Sequence, residues 1–262
     1  MDPPGTHCHR AALLDSIRGL QVASFVEIGV GDGAVAKSLL ARGLTGIGIE
    51  RSAPAIERAR ATLAPEIAAG RFRLVSGDLR ELDMAALPQS DLGLALMVIE
   101  HEPDDVGLLR ALAALIRPGG HLLVSVPARR DRWSFEDETV GHLRRYERAH
   151  LEGVLRQAGA ADITIRSVAV PVANLLYRLG NLMLARAGEA DKRTLSQAKQ
   201  TDLSGIRDIP YKTLFPRWCR LILNPVALYP FFIMQRLFYS SALGLELMAV
   251  ARMPEEPRAA AR

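Results

Sequence analysis

Two rhythms of apolar and polar residues alternate along the chain. Short, nearly unbroken apolar runs lie near 22–28, 45–50, 71–76, 92–99 and 121–127, and apolar residues recur at helical spacing near 34–42, 54–64, 80–87 and 104–116. Unbroken runs of this length read as strands covered on both faces, and their alternation with helices predicts an α/β, doubly wound fold around a mainly parallel sheet. The punctuation agrees. Gly43 sits where a helix C-cap is expected, Ser52 and Pro54 suit a helix start, and Pro103-Asp104-Asp105 puts acids at the positive end of the next helix. A short helix over Arg10–Arg18 precedes the first strand; a helix near 148–158 closes at Gly159, Ile163–Val170 alternates as a sixth strand, and Leu243–Arg252 supplies a seventh.

Between the sixth and seventh strands the pattern changes. Residues 171–242 are too many for a structureless connection inside a compact domain. Leu175, Leu176, Leu179, Leu182 and Met183 recur at helical spacing, and a second apolar segment surrounds Pro225–Tyr239, so a helical insert is predicted. The expected organisation is a sheet domain at 1–170 plus 243–253, the insert at 171–242 and a disordered tail at 254–262.

The chemistry starts at the first strand, which runs into Glu27-Ile28-Gly29-Val30-Gly31-Asp32-Gly33 and is answered by Glu50 at the end of the second. Such glycines let the backbone turn sharply and let a ligand approach main-chain amides. A carboxylate at the end of the second strand suits the two hydroxyls of a ribose. Gly29-x-Gly31-x-x-Ala34 with Glu50 downstream also satisfies the loose dinucleotide fingerprint, so a nicotinamide-dependent oxidoreductase stands as the alternative. Glu27 weighs against it, because a carboxylate beside the turn repels a pyrophosphate and attracts a cationic amino group. Gly33 and the third strand, Phe72–Val75 ending in Ser76-Gly77-Asp78-Leu79, weigh the same way, Asp78 being placed to accept from an adenine amino group.

With these motifs in order, and with Arg117-Pro118-Gly119-Gly120 leading into His121-Leu122-Leu123-Val124, the chain resembles the class I S-adenosylmethionine-dependent methyltransferases over roughly residues 20–170 and again near 244–252. The resemblance implies a seven-stranded Rossmann-like fold with the seventh strand antiparallel, and S-adenosylmethionine as cofactor. It implies cofactor contacts from Glu27, Gly29, Gly31, Gly33, Glu50, Arg51, Asp78, Leu79 and Met97. In that family strands six and seven usually form a hairpin, so the insert is a departure. The Ile99-Glu100-His101-Glu102-Pro103-Asp104 segment is similar to that of the quinone-biosynthesis and related small-molecule methyltransferases. In some of these a related E-x-x-E-H segment binds a divalent metal, but Met97 occupies its first position here and no metal is expected.

Acceptor chemistry is expected from His101, His142 and Tyr146. The last two lie in Gly141-His142-Leu143-Arg144-Arg145-Tyr146, a segment similar to one found on the acceptor side of many bacterial relatives. A plainer reading of that segment has Arg144 and Arg145 paired with Asp137 and Glu138 to hold a loop closed. A third function class is a catalytically inactive, cofactor-binding regulatory protein on the same fold.

Charge refines the picture of the insert. The chain has net charge +4, whereas 171–242 alone holds 10 Lys and Arg against 4 Asp and Glu, which leaves the remainder slightly acidic. Three readings of the insert follow: a lid, a homodimer interface, or a surface that seats on a membrane or binds an amphiphilic acceptor through Arg217, Trp218, Arg220, Tyr229, Phe231, Phe232, Arg236 and Phe238. Methyl transfer is expected to an oxygen or nitrogen of a small, apolar or lipid-like acceptor, and nucleic acid is disfavoured because the basic residues are sparse. The apolar region Leu221–Ala251 is broken by Asn224-Pro225, Pro230, Gln235-Arg236 and Glu246, which argues against a bilayer span. Two distant cysteines, Cys8 and Cys219, and a polar Met1–His9 point to a cytoplasmic protein, with peripheral membrane contact through the insert as the variant.

Overall fold

In a computed structural model of the chain, residues 4–171, 174, 200, 224 and 226–255 are described. They fall into two compact units. The first comprises Gly19–Val126, Arg148–Thr164 and Ala249–Arg262; the second comprises Met1–Arg18, Pro127–Glu147 and Ile165–Met248.

The elements run α1 (Pro4–Ser16), β1 (Ser24–Ile28), α2 (Ala34–Leu40), β2 (Thr45–Glu50), α3 (Ala53–Thr62), α4 (Ala64–Ala68), β3 (Phe72–Ser76), β4 (Ser90–Leu96), α5 (Asp105–Ala114), β5 (Ile116–Pro127), α6 (Phe135–Val140), α7 (Arg148–Gln157), β6 (Ala161–Val168), the helix Tyr229–Leu237, and β7 (Glu246–Arg252). The seven strands lie in the order β3-β2-β1-β4-β5-β7-β6. This is the mostly parallel, Rossmann-like sheet expected of the sequence. The order reverses beside β1, and in open α/β sheets the crevice at such a switch point is where ligands bind.

Parallel registers set the carboxyl ends of four strands at one edge: Ile28 pairs with Ile49 and with Ala95, and Ile49 pairs with Val75. β1 and β4 are buried almost throughout, which is why their sequences read as unbroken apolar runs. Glycines in β2 make room for neighbours. A Cβ at Gly46 would lie 2.3 Å from the Phe25 ring, and one at Gly48 would lie 2.6 Å from Phe72, whose ring packs 6.1 Å from that of Phe25. At the opposite edge Asp91 accepts from the amides of Ala23 and Ser24 and pairs with Arg117 at 2.7 Å, fastening the start of β1 to β4.

Boundaries move where local chemistry intervenes. The helix expected at 54–64 is two helices, because Pro65 removes an amide donor and starts a new first turn. The short helix expected at 80–87 is a pair of 3-10 turns, Leu79–Glu81 and Met84–Ala86, begun by Asp78 and Asp83, each accepting from an amide two residues on. The Arg117–Gly120 turn is absorbed into β5 as an irregularity: Ser90 pairs with Ile116 but Leu92 with His121.

In the second unit, the helix Tyr229–Leu237 fastens onto α1. Fully buried Gln235 donates to the Cys8 carbonyl at 3.1 Å and accepts from the Ala169 amide. Arg236 forms a bidentate pair with Asp15, to which the Tyr239 hydroxyl also donates. The polar pair that interrupts the apolar run at 235–236 is therefore the fastening. α1 starts at Pro4, earlier than its apolar spacing indicates, since proline is tolerated in a first helical turn. Among the described residues no helix is long and apolar enough to cross a membrane. Leu175, Leu176, Leu179, Leu182, Met183, Arg217, Trp218, Arg220 and the tail beyond Glu255 lie outside the described residues.

Candidate active site

The pocket elements belong to the first unit and gather at the strand ends. After β1 the chain turns through Gly29, Gly31 and Gly33, all at positive φ (+69°, +59° and +81°). Gly29 is fixed by space as well as conformation, because a Cβ there would lie 2.5 Å from Val98. Nothing lies within 4 Å of a Cβ built on Gly31, so a ligand can reach its backbone. The Gly31 amide donates to Glu50 Oε2 at 3.0 Å, and Glu50 Oε1 accepts from the amides of Arg51 and Ser52 at 2.9 Å. The acid expected to take a ribose is thus held in place by three backbone donors.

Glu27 is buried beneath this turn. Its Oε2 has no hydrogen-bond partner among the described residues. Burial, reinforced by the charges of Asp32 and Glu50, pushes its carboxyl up to about 8. A cationic amino group would satisfy the orphaned oxygen and restore the charge, which is the fit that the methionine end of S-adenosylmethionine requires.

Sequence reasoning missed the rim of this pocket. Asp78 forms a bidentate pair with Arg80 (2.7 and 3.0 Å) and accepts from its amide, which, led by the side-chain hydrogen bond, holds the Asp78 carboxyl below its usual range. Arg80 also pairs with Glu102 at 3.1 Å, and Arg51 with Glu102 at 3.0 Å. The result is an alternating chain, Arg51–Glu102–Arg80–Asp78, linking the ends of β2, β3 and β4; Arg51 stands in it as a rim residue. Leu79 is buried beside Asp78. Met97 takes left-handed backbone, φ +56°, and is partly exposed as the chain leaves β4. The 3-10 turn Ile99–His101 follows and carries Glu100 and His101, both buried.

The remaining two expected residues belong to the second unit. His142 Nδ1 lies 2.8 Å from Asp137 Oδ1. Tyr146 is fully buried, and its backbone exchanges hydrogen bonds with Pro127 and Arg129. Arg145 pairs with Asp137 at 2.8 Å, as the plainer reading of the segment expects.

Residues 9–165 match the family profile described as a methyltransferase domain. The chain belongs to that family. Its fold and cofactor class are those of the S-adenosylmethionine-dependent methyltransferases. This methyltransferase is 31% identical over 108 residues to the ubiquinone biosynthesis O-methyltransferase of Alkalilimnicola ehrlichii (41% of this chain, 42% of the relative). It is 30% identical over 117 residues to that of Cupriavidus pinatubonensis (44% of this chain, 46% of the relative). The matches thus span less than half the length of these curated relatives. Among solved structures, the [4+2]-cyclase SpnF is similar at TM-score 0.62 and 15% identity, over 95% of this chain and 81% of SpnF. Phosphoethanolamine N-methyltransferase 2 of Haemonchus contortus, in complex with S-adenosyl-L-methionine, is similar at TM-score 0.57 and 17% identity, over 94% of this chain and 52% of that one. These likenesses carry the fold; a cyclase among them shows that the reaction must be argued from the site.

Proposed function

We propose that this methyltransferase transfers a methyl group to an oxygen of a small, apolar or lipid-like acceptor. The observation that carries this reading is the match to the O-methyltransferases of ubiquinone biosynthesis, which by name methylate oxygen. S-adenosylmethionine supplies the methyl on a sulfonium; the chain's own residues bind, orient and manage a proton. Glu27 holds the amino group and Glu50 the ribose hydroxyls, while Asp78 with Leu79 frames the adenine and Met97 flanks the cofactor at the end of β4. His142 takes the proton of the acceptor hydroxyl, His101 orients the acceptor, and Tyr146 supports the segment that carries His142. The lipid-like character draws support from the helix Tyr229–Leu237, on which Tyr229, Ile233 and Leu237 are exposed at four-residue spacing.

Three measurements test the reading. Calorimetry with S-adenosylhomocysteine and with NAD should show binding of the first alone, and binding of NAD alone would return the chain to the oxidoreductases. A labelled-methyl assay on phenols bearing alkyl tails of increasing length should show product rising with tail length. Methylation of amines and not phenols would overturn the oxygen assignment, and cofactor binding without transfer to either would favour a regulatory protein. His142→Ala should keep S-adenosylhomocysteine affinity while lowering turnover by roughly 100-fold or more, the usual contribution of a positioned base; unchanged turnover would remove His142 from the scheme.

A further inference from the structure

Within the first unit, Asp78 is held more firmly than an acceptor for adenine alone requires. The Gly77 amide donates to the Glu50 carbonyl at 2.9 Å, so Asp78 follows directly on a residue tied to the acid proposed for the ribose. Asp78 Oδ1 accepts from the Arg80 amide and from Arg80 Nε, both at 3.0 Å, and Oδ2 accepts from a terminal nitrogen of the same guanidinium at 2.7 Å. A carboxylate oxygen has two lone pairs. Both on Oδ1 are taken, and among the described residues Oδ2 keeps one acceptor direction open. The guanidinium has its own anchor. The nitrogen that donates to Oδ2 also lies 3.1 Å from Oε2 of Glu102, which is buried and whose amide donates to the Ile99 carbonyl at 3.2 Å. Glu102 Oε1 accepts from Arg51 at 3.0 Å. Arg80 is thus gripped by two carboxylates, and moving it breaks charge-assisted bonds to both.

We infer that Arg80 is a positioning residue that sets base specificity: it pins the Asp78 carboxylate so that one fixed lone pair on Oδ2 accepts from the exocyclic amino group of adenine and repels a carbonyl oxygen at the same place. The inference rests on the adenine role proposed for Asp78 and adds how that acid discriminates. A mobile carboxylate would turn away from a carbonyl oxygen at little cost. A pinned one has no such escape, so the wrong base is opposed by two acceptors held face to face. Arg80→Lys would keep the charge and lose the fork that grips both oxygens. Glu102 acts one step further out, keeping the fork in place.

The test compares S-adenosylhomocysteine with S-inosylhomocysteine, which carries a carbonyl oxygen where the amino group was, by calorimetry on the full chain. The parent should bind the adenine compound about 10- to 100-fold more tightly, the range of one hydrogen bond to a charged acceptor. In Arg80→Met that preference should fall to about threefold or less, and the inosine compound should bind more tightly than it does to the parent. A merely structural lesion weakens both ligands together and gives no such gain. Glu102→Gln should move both affinities in the same directions by less, and Arg80→Lys should leave the preference unrestored. A preference unchanged in Arg80→Met, or two affinities falling in step, would overturn the inference; should that variant not fold, Glu102→Gln decides by the same two affinities. Preference lost in Asp78→Asn but kept in Arg80→Met would discard the positioning role and leave the adenine role standing, whereas a parent with no preference would discard both.

Discussion

Glu27 and Asp137 are both buried acids, and their surroundings drive them in opposite directions. Glu27 has an oxygen with no donor among the described residues and two acids for neighbours, and burial with their charges raises it to about 8. Asp137 is buried as deeply, and burial pushes it upward too. Hydrogen bonds from His142 and Arg145 and the Arg145 charge outweigh that, and it lies at about 2. The difference lies in the partners, since burial is common to both. A buried acid surrounded by donors fixes its neighbours, whereas one left short of donors at a glycine turn is the acid we propose to meet the cationic amino group.

The largest effect is expected on stability. Asp137→Ala leaves the Arg145 cation buried and the Ser134 cap open, and should cost about 3–5 kcal/mol in urea unfolding. Glu27→Gln removes a carboxyl whose ionisation burial opposes and should cost no stability at neutral pH; equal losses in the two variants would erase the contrast. Glu50 is an intermediate case, an acid held by three backbone amides and proposed to meet the ribose. Glu50→Ala should weaken S-adenosylhomocysteine binding by about 1.5–3 kcal/mol in calorimetry, and equal affinity would misplace Glu50.

Smaller effects follow from protonation. Glu27 is raised in the folded chain from 4.5 to about 8, so its contribution is whole below pH 4.5 and is lost as pH rises to 8. Asp137 is lowered from 3.8 to about 2, so its contribution is whole above 3.8 and is lost as pH falls through 2. Melting temperatures across pH should therefore show the parent losing ground to Glu27→Gln on the alkaline side and to Asp137→Asn on the acid side. At pH near 7, S-adenosylhomocysteine binding should release about one proton, read from calorimetry in buffers of different ionisation enthalpy. That release should vanish in Glu27→Gln.

The strands and the glycine turn were legible because each strand's burial is written as a local apolar run and the turn as alternating glycines. Glu27 and Glu50 drew attention by their places at the carboxyl ends of β1 and β2, and Asp78 by its place two residues past β3. What escaped depends on residues far apart meeting in space. Arg80 and Glu102 show no local periodicity that would announce their ion pair, and Asp137 looked like one of several acids in a charged stretch until Ser134, His142 and Arg145 converged on it. Pro65 was visible, but the surrounding helical spacing obscured the break it makes in the 54–64 helix. Tyr146, expected on the acceptor side, is fully buried.

The hydrogen bond from Gly31 to Glu50 bears on freedom as well as place. Three glycines in seven residues would ordinarily make the most mobile stretch of a chain, and freezing them on binding would set an entropic toll on every catalytic cycle. The clasp holds the turn in one conformation with no ligand present, so less of that freedom remains to be lost when one binds.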